Sequence, residues 1–218
     1  MYEKELSKTT PTPLLEKEGR NCLVVDPFCG SGNVAMEAMM LGLDVFGSDN
    51  SGKAVRDSQE NIDWLLERQN EKCKSQNHNP KVKIIAADAT CDNFVSILNS
   101  SFKILDSERL AIVAEPFLGE PKKFKPSENA ARGEYRKIKD LYLSFFTNFK
   151  GFMDFRLPVV FCIVFPLVEL ENGKQFSLYR ESVDEIKKIG YTELQSPLIY
   201  GRDYQVVKRE IVLLQLKT

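Results

Sequence analysis

Four carboxylates stand where apolar runs give out: Asp26 after Leu23-Val24-Val25, Asp49 after Val45-Phe46-Gly47-Ser48, Asp88 after Ile84-Ile85-Ala86-Ala87, and Glu115 after Leu110-Ala111-Ile112-Val113-Ala114. An ionised carboxylate accepts hydrogen bonds through both oxygens, so a row of them suits a ligand rich in hydroxyl and amino donors. Between the first and second lies Asp26-Pro27-Phe28-Cys29-Gly30-Ser31-Gly32-Asn33. Its glycines permit a tight turn and let backbone come close to a ligand. An apolar strand, a glycine turn and a helix in that order build a nucleotide-type pocket at the carboxyl end of a parallel strand. An acid about twenty residues further on can accept both hydroxyls of a ribose, a role that suits Asp49. Singly, each acid reads as a cap on a strand end or helix start; three in register with three consecutive strands point to a bound cofactor. The third glycine of the dinucleotide fingerprint is missing, since Ala35 stands at that spacing, which makes hydride chemistry the weaker reading.

The form Asp-Pro-Phe-Cys-Gly-Ser-Gly resembles motif I of Rossmann-like methyltransferases that use S-adenosylmethionine, especially those modifying exocyclic amines of nucleic-acid bases. Gly47-Ser48-Asp49-Asn50-Ser51, Asn61-Ile62-Asp63-Trp64-Leu65, Ala87-Asp88-Ala89-Thr90 and Arg209-Glu210-Ile211-Val212 extend the likeness, over most of residues 22–217, to the catalytic domain of tRNA guanosine N2-methyltransferases. The resemblance implies a Rossmann-like class I fold: a seven-stranded, mostly parallel sheet with a C-terminal antiparallel strand pair and helices on both faces. It implies S-adenosylmethionine as cofactor and methyl transfer to the exocyclic amine of a guanine in tRNA. Asp26 and the amides of Gly30, Ser31 and Gly32 would hold the methionine portion, Asp49 the ribose, and Asp88 beside Ala89 the adenine amino group; Phe28 and Asn50 join the cofactor-binding set. Members of that family carry a THUMP-containing RNA-binding region, for which there is no room ahead of Leu23. A cut-out catalytic domain, a stand-alone descendant and one subunit of a split enzyme all stay open, with a separate RNA-binding module or a small zinc-binding activator as possible partners besides tRNA.

Glu115-Pro116-Phe117-Leu118-Gly119 occupies the position of motif IV, which in amino-methyltransferases usually reads Asp or Asn, Pro, Pro, aromatic. There the polar side chain and a following carbonyl accept hydrogen bonds from the target amine and aim its lone pair at the methyl group, largely a positioning effect. The aromatic stacks on the base, worth about 1–3 kcal/mol. By this likeness Glu115, Pro116 and Phe117 are the catalytic candidates, and Glu115 also borders the cofactor. Two departures stand out: glutamate is one methylene longer than aspartate, and the aromatic is third. Glu115 can still accept two hydrogen bonds from an amine. Substrate-binding candidates are Phe117, Leu118, Gly119, Lys122, Lys123 and Arg202, with Lys125, Arg132 and Arg136 as further basic residues that face either RNA or solvent. A DNA amino-methyltransferase is the first alternative, though no target-recognition region is visible; a non-catalytic methyltransferase-like subunit is the second.

These residues need a frame of alternating strands and helices. A helical pattern over Val34–Leu41, stopped by Gly42, follows the first strand. A helix over about Ser51–Gln69 buries Ala54, Val55, Ser58, Ile62 and Leu65, with Trp64 at the edge of that face. A strand over Val82–Ala89 leads to a short helix near Asp92–Leu98 capped by Asp92. A helix over Ala130–Phe149 presents Ile138, Leu141, Tyr142, Phe145 and Phe149. Pro158–Pro166 reads as a strand buried on both faces. Gln175–Tyr179 leads into a helix through Lys188 ended by Gly190, and Tyr191–Ile199 and Val206–Leu216 read as the closing antiparallel pair.

The 218 residues fit one α/β domain (21–218) behind a polar N-terminal arm (1–20). The apolar core of a secretory signal is lacking at the N-terminus, and no apolar run is long enough for a membrane span. Five cysteines without a C-x-x-C pair favour reduced thiols and a cytoplasmic setting. A single histidine, His78 in a polar loop, excludes a histidine triad or multi-histidine metal site, and no metal is expected. The net charge of −1 means that any nucleic-acid surface must be local or supplied by another module.

Overall fold

A computed structural model describes residues 22–72, 80–102, 109–150 and 159–216. The N-terminal arm and His78 lie outside the described residues. The elements in chain order are β1 (Cys22–Asp26), α1 (Asn33–Met40), β2 (Asp44–Asp49), α2 (Gly52–Lys72), β3 (Val82–Ala86), α3 (Phe94–Phe102), β4 (Arg109–Ala114), α4 (Glu128–Phe149), β5 (Val159–Glu169), β6 (Gln175–Ser177), α5 (Val183–Ile189), β7 (Tyr191–Glu193), β8 (Leu198–Tyr200) and β9 (Val207–Leu216). Main strands run in the order β3-β2-β1-β4-β5-β9-β7, with β6 paired to β5 and β8 to β9. From β3 through β5 the pairing is parallel, whereas β9 lies antiparallel to β5, Phe161 opposite Leu214. The carboxyl ends of β1 to β5 and the start of β9 therefore share one rim of the sheet.

Strand side chains alternate between faces, and the two cores follow that alternation. Leu23, Val25, Leu110 and Ile112 point into a large core with α3, α4 and α5; Val24, Val45 and half-buried Val113 point the other way, against α1 and α2. Aromatic rings fill the larger core. Phe145, Phe146 and Phe149 of α4 meet Phe161 of β5, and Phe146 also meets Phe165 and Tyr191. The tyrosines keep their hydroxyls satisfied: Tyr142 donates to the Val164 carbonyl and Tyr191 to that of Phe146.

The architecture agrees with the expected one, with local corrections. The expected seven-strand path is present, and two short strands off it, β6 and β8, bring the sheet to nine. Gln175–Ser177 is not a lead into a helix but the return arm of a hairpin on Leu167–Glu169, and α5 starts only at Val183. The expected strand Tyr191–Ile199 is two short ones, β7 and β8, which pair with different stretches of β9. β5 runs on to Glu169, and its second face is buried only toward the end, at Pro166 and Val168, because Val160 is exposed and Cys162 and Val164 half-buried. β3 stops at Ala86, two residues short of Asp88. α3 begins at Phe94, past Asp92, and α4 begins at Glu128, where the Ser127 hydroxyl caps the Ala130 amide. Trp64 lies off the buried face of α2 and is exposed, its ring covered by the Arg68 guanidinium one turn on at 4.5 Å.

Candidate functional site: a ring of carboxylates at the strand ends

The turn after β1 is built by glycine and held by its neighbours. Gly32 has φ 86°, a conformation costly to residues with a side chain, and a methyl group there would meet the Ser58 hydroxyl of α2 at 2.5 Å. Asn61, one helical turn along α2, donates from Nδ2 to the Ser31 carbonyl at 2.9 Å. The first residue of the Asn-x-Asp-Trp-Leu segment thus clamps the glycine turn from behind. Above Gly30, by contrast, the space a side chain would fill is open, with nothing within 4 Å.

Each of the three aspartates accepts backbone amides close by. Asp26 accepts from the Phe28 amide at 3.1 Å. Asp49 bridges two turns, Oδ2 taking the Gly30 amide at 3.1 Å and Oδ1 that of Ser51 at 2.8 Å. Asp88 Oδ1 accepts both the amide and the hydroxyl of Thr90, at 2.8 and 2.6 Å. The capping reading of these acids is therefore correct as far as it goes, but a carboxylate has further lone pairs for a ligand. Asp26 is only 2% exposed. Burial pushes its carboxyl up to about 7, against the opposing Phe28 amide and with help from the charges of Asp49 and Glu115. The nearby Cys29 thiol is pushed up to about 12, mainly by burial and then by the charges of Asp26 and Asp49.

Glu115 follows β4 on the same rim, and Arg209 of β9 grips it in a two-pronged ion pair, Nε to Oε2 at 2.9 Å and Nη2 to Oε1 at 2.7 Å. Pro116 is buried, whereas the Phe117 ring is 51% exposed beside it. The Leu118 carbonyl accepts the Tyr135 hydroxyl of α4 at 3.1 Å, and Gly119 (φ 94°) lies directly against that phenol. Further exposed aromatics are Phe124 later in the same loop, Tyr200 opposite Arg209 on the sheet, and Tyr204.

The remaining candidates sort by what holds them. Phe28 is half-buried with its ring against Phe145 at 5.5 Å, so its packing is structural. Ser31 and Asn50 are exposed on the rim, and the buried Ala89 gives its carbonyl to Asn148 of α4. Among the basic residues, Lys122 is paired with Glu134, Lys125 with Glu169, and Arg132 with Glu128 and Glu181. Lys123 and Arg136 are exposed and show no ion pair among the described residues, and Arg202 donates to the Tyr204 hydroxyl at 2.6 Å. Among the described residues no group of His, Cys, Asp or Glu is arranged to hold a metal, and no helix is long and apolar enough to cross a membrane. Sequence reasoning missed the part played by Arg209, although its segment carried the resemblance: its partner lies 94 residues away, with nothing local to signal it.

Known proteins supply an independent comparison. The structure superimposes on a magnesium protoporphyrin IX methyltransferase from Synechocystis PCC 6803 with bound SAH, at a TM-score of 0.53 and 11% identity, covering 89% of this chain and 74% of that one. The same enzyme with bound SAM gives 0.52 at 13% identity, covering 89% and 70%. The fold is that of class I methyltransferases. A possible methylase from Clostridium difficile 630 aligns at 0.51 and 14% identity, covering 89% of this chain and 48% of its own. No protein-family model and no curated protein sequence matches the chain.

Proposed function

We propose that the chain is an S-adenosylmethionine-dependent N-methyltransferase whose acceptor is the exocyclic amine of a guanine in tRNA. The observation that carries this reading is the meeting on one rim of the glycine turn, the carboxylates of Asp26, Asp49 and Asp88, and Glu115 beyond them. The cofactor would supply an electrophilic methyl on a sulfonium. Open space over Gly30, flanked by acceptor oxygens, fits a ligand bearing an ammonium group, a ribose diol and an adenine amine. Asp49 would take the diol with the lone pairs it does not give to Gly30 and Ser51, and Asp88 would take the adenine amine. Glu115 and the loop carbonyls would accept the N–H groups of the target. Glu115 would thereby hold the nitrogen lone pair toward the methyl group, and the methylated nitrogen would lose its extra proton to water.

An RNA acceptor is supported by four exposed aromatics, Phe117, Phe124, Tyr200 and Tyr204, by Lys123, which has no ion pair among the described residues, and by the exposed Arg202. Aromatic faces beside cations suit unstacked bases. The net charge of −1 makes a separate RNA-binding partner part of the proposal, in a cytoplasmic setting. The test is incubation with radiolabelled cofactor and separate pools of tRNA, rRNA and DNA, followed by nucleoside analysis. Label in N2-methylguanosine from tRNA is the expected result, and Glu115→Ala should abolish it while leaving donor affinity nearly intact. Label in a DNA amine would favour the DNA enzyme instead. The occupation of Glu115 by Arg209 favours a second reading, a non-catalytic subunit, for which donor binding without transfer to any pool would speak.

A further inference from the structure

Arg209 stands on β9 opposite Pro166 of β5 and Tyr200 of β8, and from there its guanidinium reaches over to the end of β4. Two parallel N–H donors on two carboxylate oxygens form the fork-to-fork geometry, which fixes the plane and direction of the carboxylate as well as its position. The side chains are 34% and 40% exposed, so the pair contributes little to folding stability. What it constrains is orientation. An aspartate at position 115 would end a methylene short of this reach, which accounts for the longer acid in the motif.

We propose that Arg209 is the positioning residue of the acceptor site: by taking the facing lone pairs of both Glu115 oxygens it turns their remaining, lateral lone pairs toward the target amine. Each carboxylate oxygen uses one lone pair on Arg209 and keeps another for an incoming N–H. Arg209 gives up no proton at any stage, because a guanidinium stays protonated and its pairing with Glu115 raises its basicity further. The inference rests on the methyl-transfer reading above.

Full-length wild type, Arg209→Gln, Arg209→Lys and Arg209→Ala are to be assayed with tritiated S-adenosylmethionine and a tRNA pool. A misaimed acceptor predicts that Arg209→Gln loses about 10- to 100-fold in kcat while the KM for the donor and its calorimetric affinity stay nearly unchanged. Arg209→Lys, which keeps the charge without the fork, should lie between the two. Guanidinium ion, added well below denaturing concentrations, should restore part of the rate to Arg209→Ala and none to wild type. Wild-type kcat in Arg209→Gln, or failure of guanidinium to rescue a folded Arg209→Ala, overturns the inference. If wild type itself labels neither tRNA, rRNA nor DNA, the functional reading falls and takes this one with it; a loss confined to the variants leaves that reading standing.

Discussion

The two sides of the rim, the aspartates that we propose hold the donor and the Glu115 side that we propose holds the acceptor, are built by different means. On the donor side, Asp26, Asp49 and Asp88 each accept amides within a few residues, and the one longer link, Asp49 to Gly30, spans 19 positions. On the acceptor side, Glu115 is held by Arg209, the following loop by Lys122 on Glu134, and the loop's end by Lys125 on Glu169, which also takes Lys208 of β9. Backbone amides cannot swing away; half-exposed side-chain pairs can, and salt weakens them. The aspartate side is thus held largely by the chain's local course, while the Glu115 loop is held by ion pairs to helix and strand together with the Tyr135 hydroxyl on the Leu118 carbonyl.

The first way to break this contrast is at Asp49. Losing two charge-assisted hydrogen bonds to a ribose, about 1.5–3 kcal/mol each, should weaken S-adenosylhomocysteine binding to Asp49→Ala by a hundredfold or more in calorimetry. Unchanged affinity would take the ribose away from this acid.

Asp26 comes next. Its carboxyl is raised from 3.8 unfolded to about 7 folded, so the folded state binds the proton more tightly. The resulting stabilisation is present below pH 4 and is lost as pH rises through 7, a decline on the order of 4 kcal/mol. Asp26→Asn, which still accepts the Phe28 amide, should lack that decline and be the more stable protein at pH 8 in urea titrations, while binding the cationic donor less well. A variant whose stability falls with pH as steeply as wild type would show that the burial of Asp26 costs nothing.

Smaller still is Gly32→Ala, where a left-handed backbone angle and the Ser58 contact together should cost about 2–3 kcal/mol in denaturant unfolding. The smallest effect belongs to the acceptor side. Lys125 and then Lys208 hold the Glu169 carboxyl down to about 2. Even so, Glu169→Gln should change stability by less than about 1 kcal/mol, because the pairs are near the surface. A loss as large as that of Gly32→Ala would erase the distinction between the two halves.

The same contrast explains what could be read from the residues alone. The strand-turn-helix at Asp26 to Met40 and the acids at Asp49 and Asp88 are local patterns, and the structure brings them to one rim of the sheet. The fork on Glu115 was illegible because Arg209 announces itself only once β5 and β9 are paired. Trp64 looked apolar enough for the edge of the core, yet helical geometry turns it outward from Ile62. The β6 hairpin did have a local sign, Asn172-Gly173, a dipeptide suited to tight turns between antiparallel strands, in a segment otherwise read as leading to a helix.

Glu115 and Arg209 are 94 positions apart, so the ribosome finishes the glycine turn and all three aspartates well before it reaches the arginine that grips Glu115. A chain cut short between β4 and β9 would carry the whole of one side of the rim and an unheld glutamate on the other.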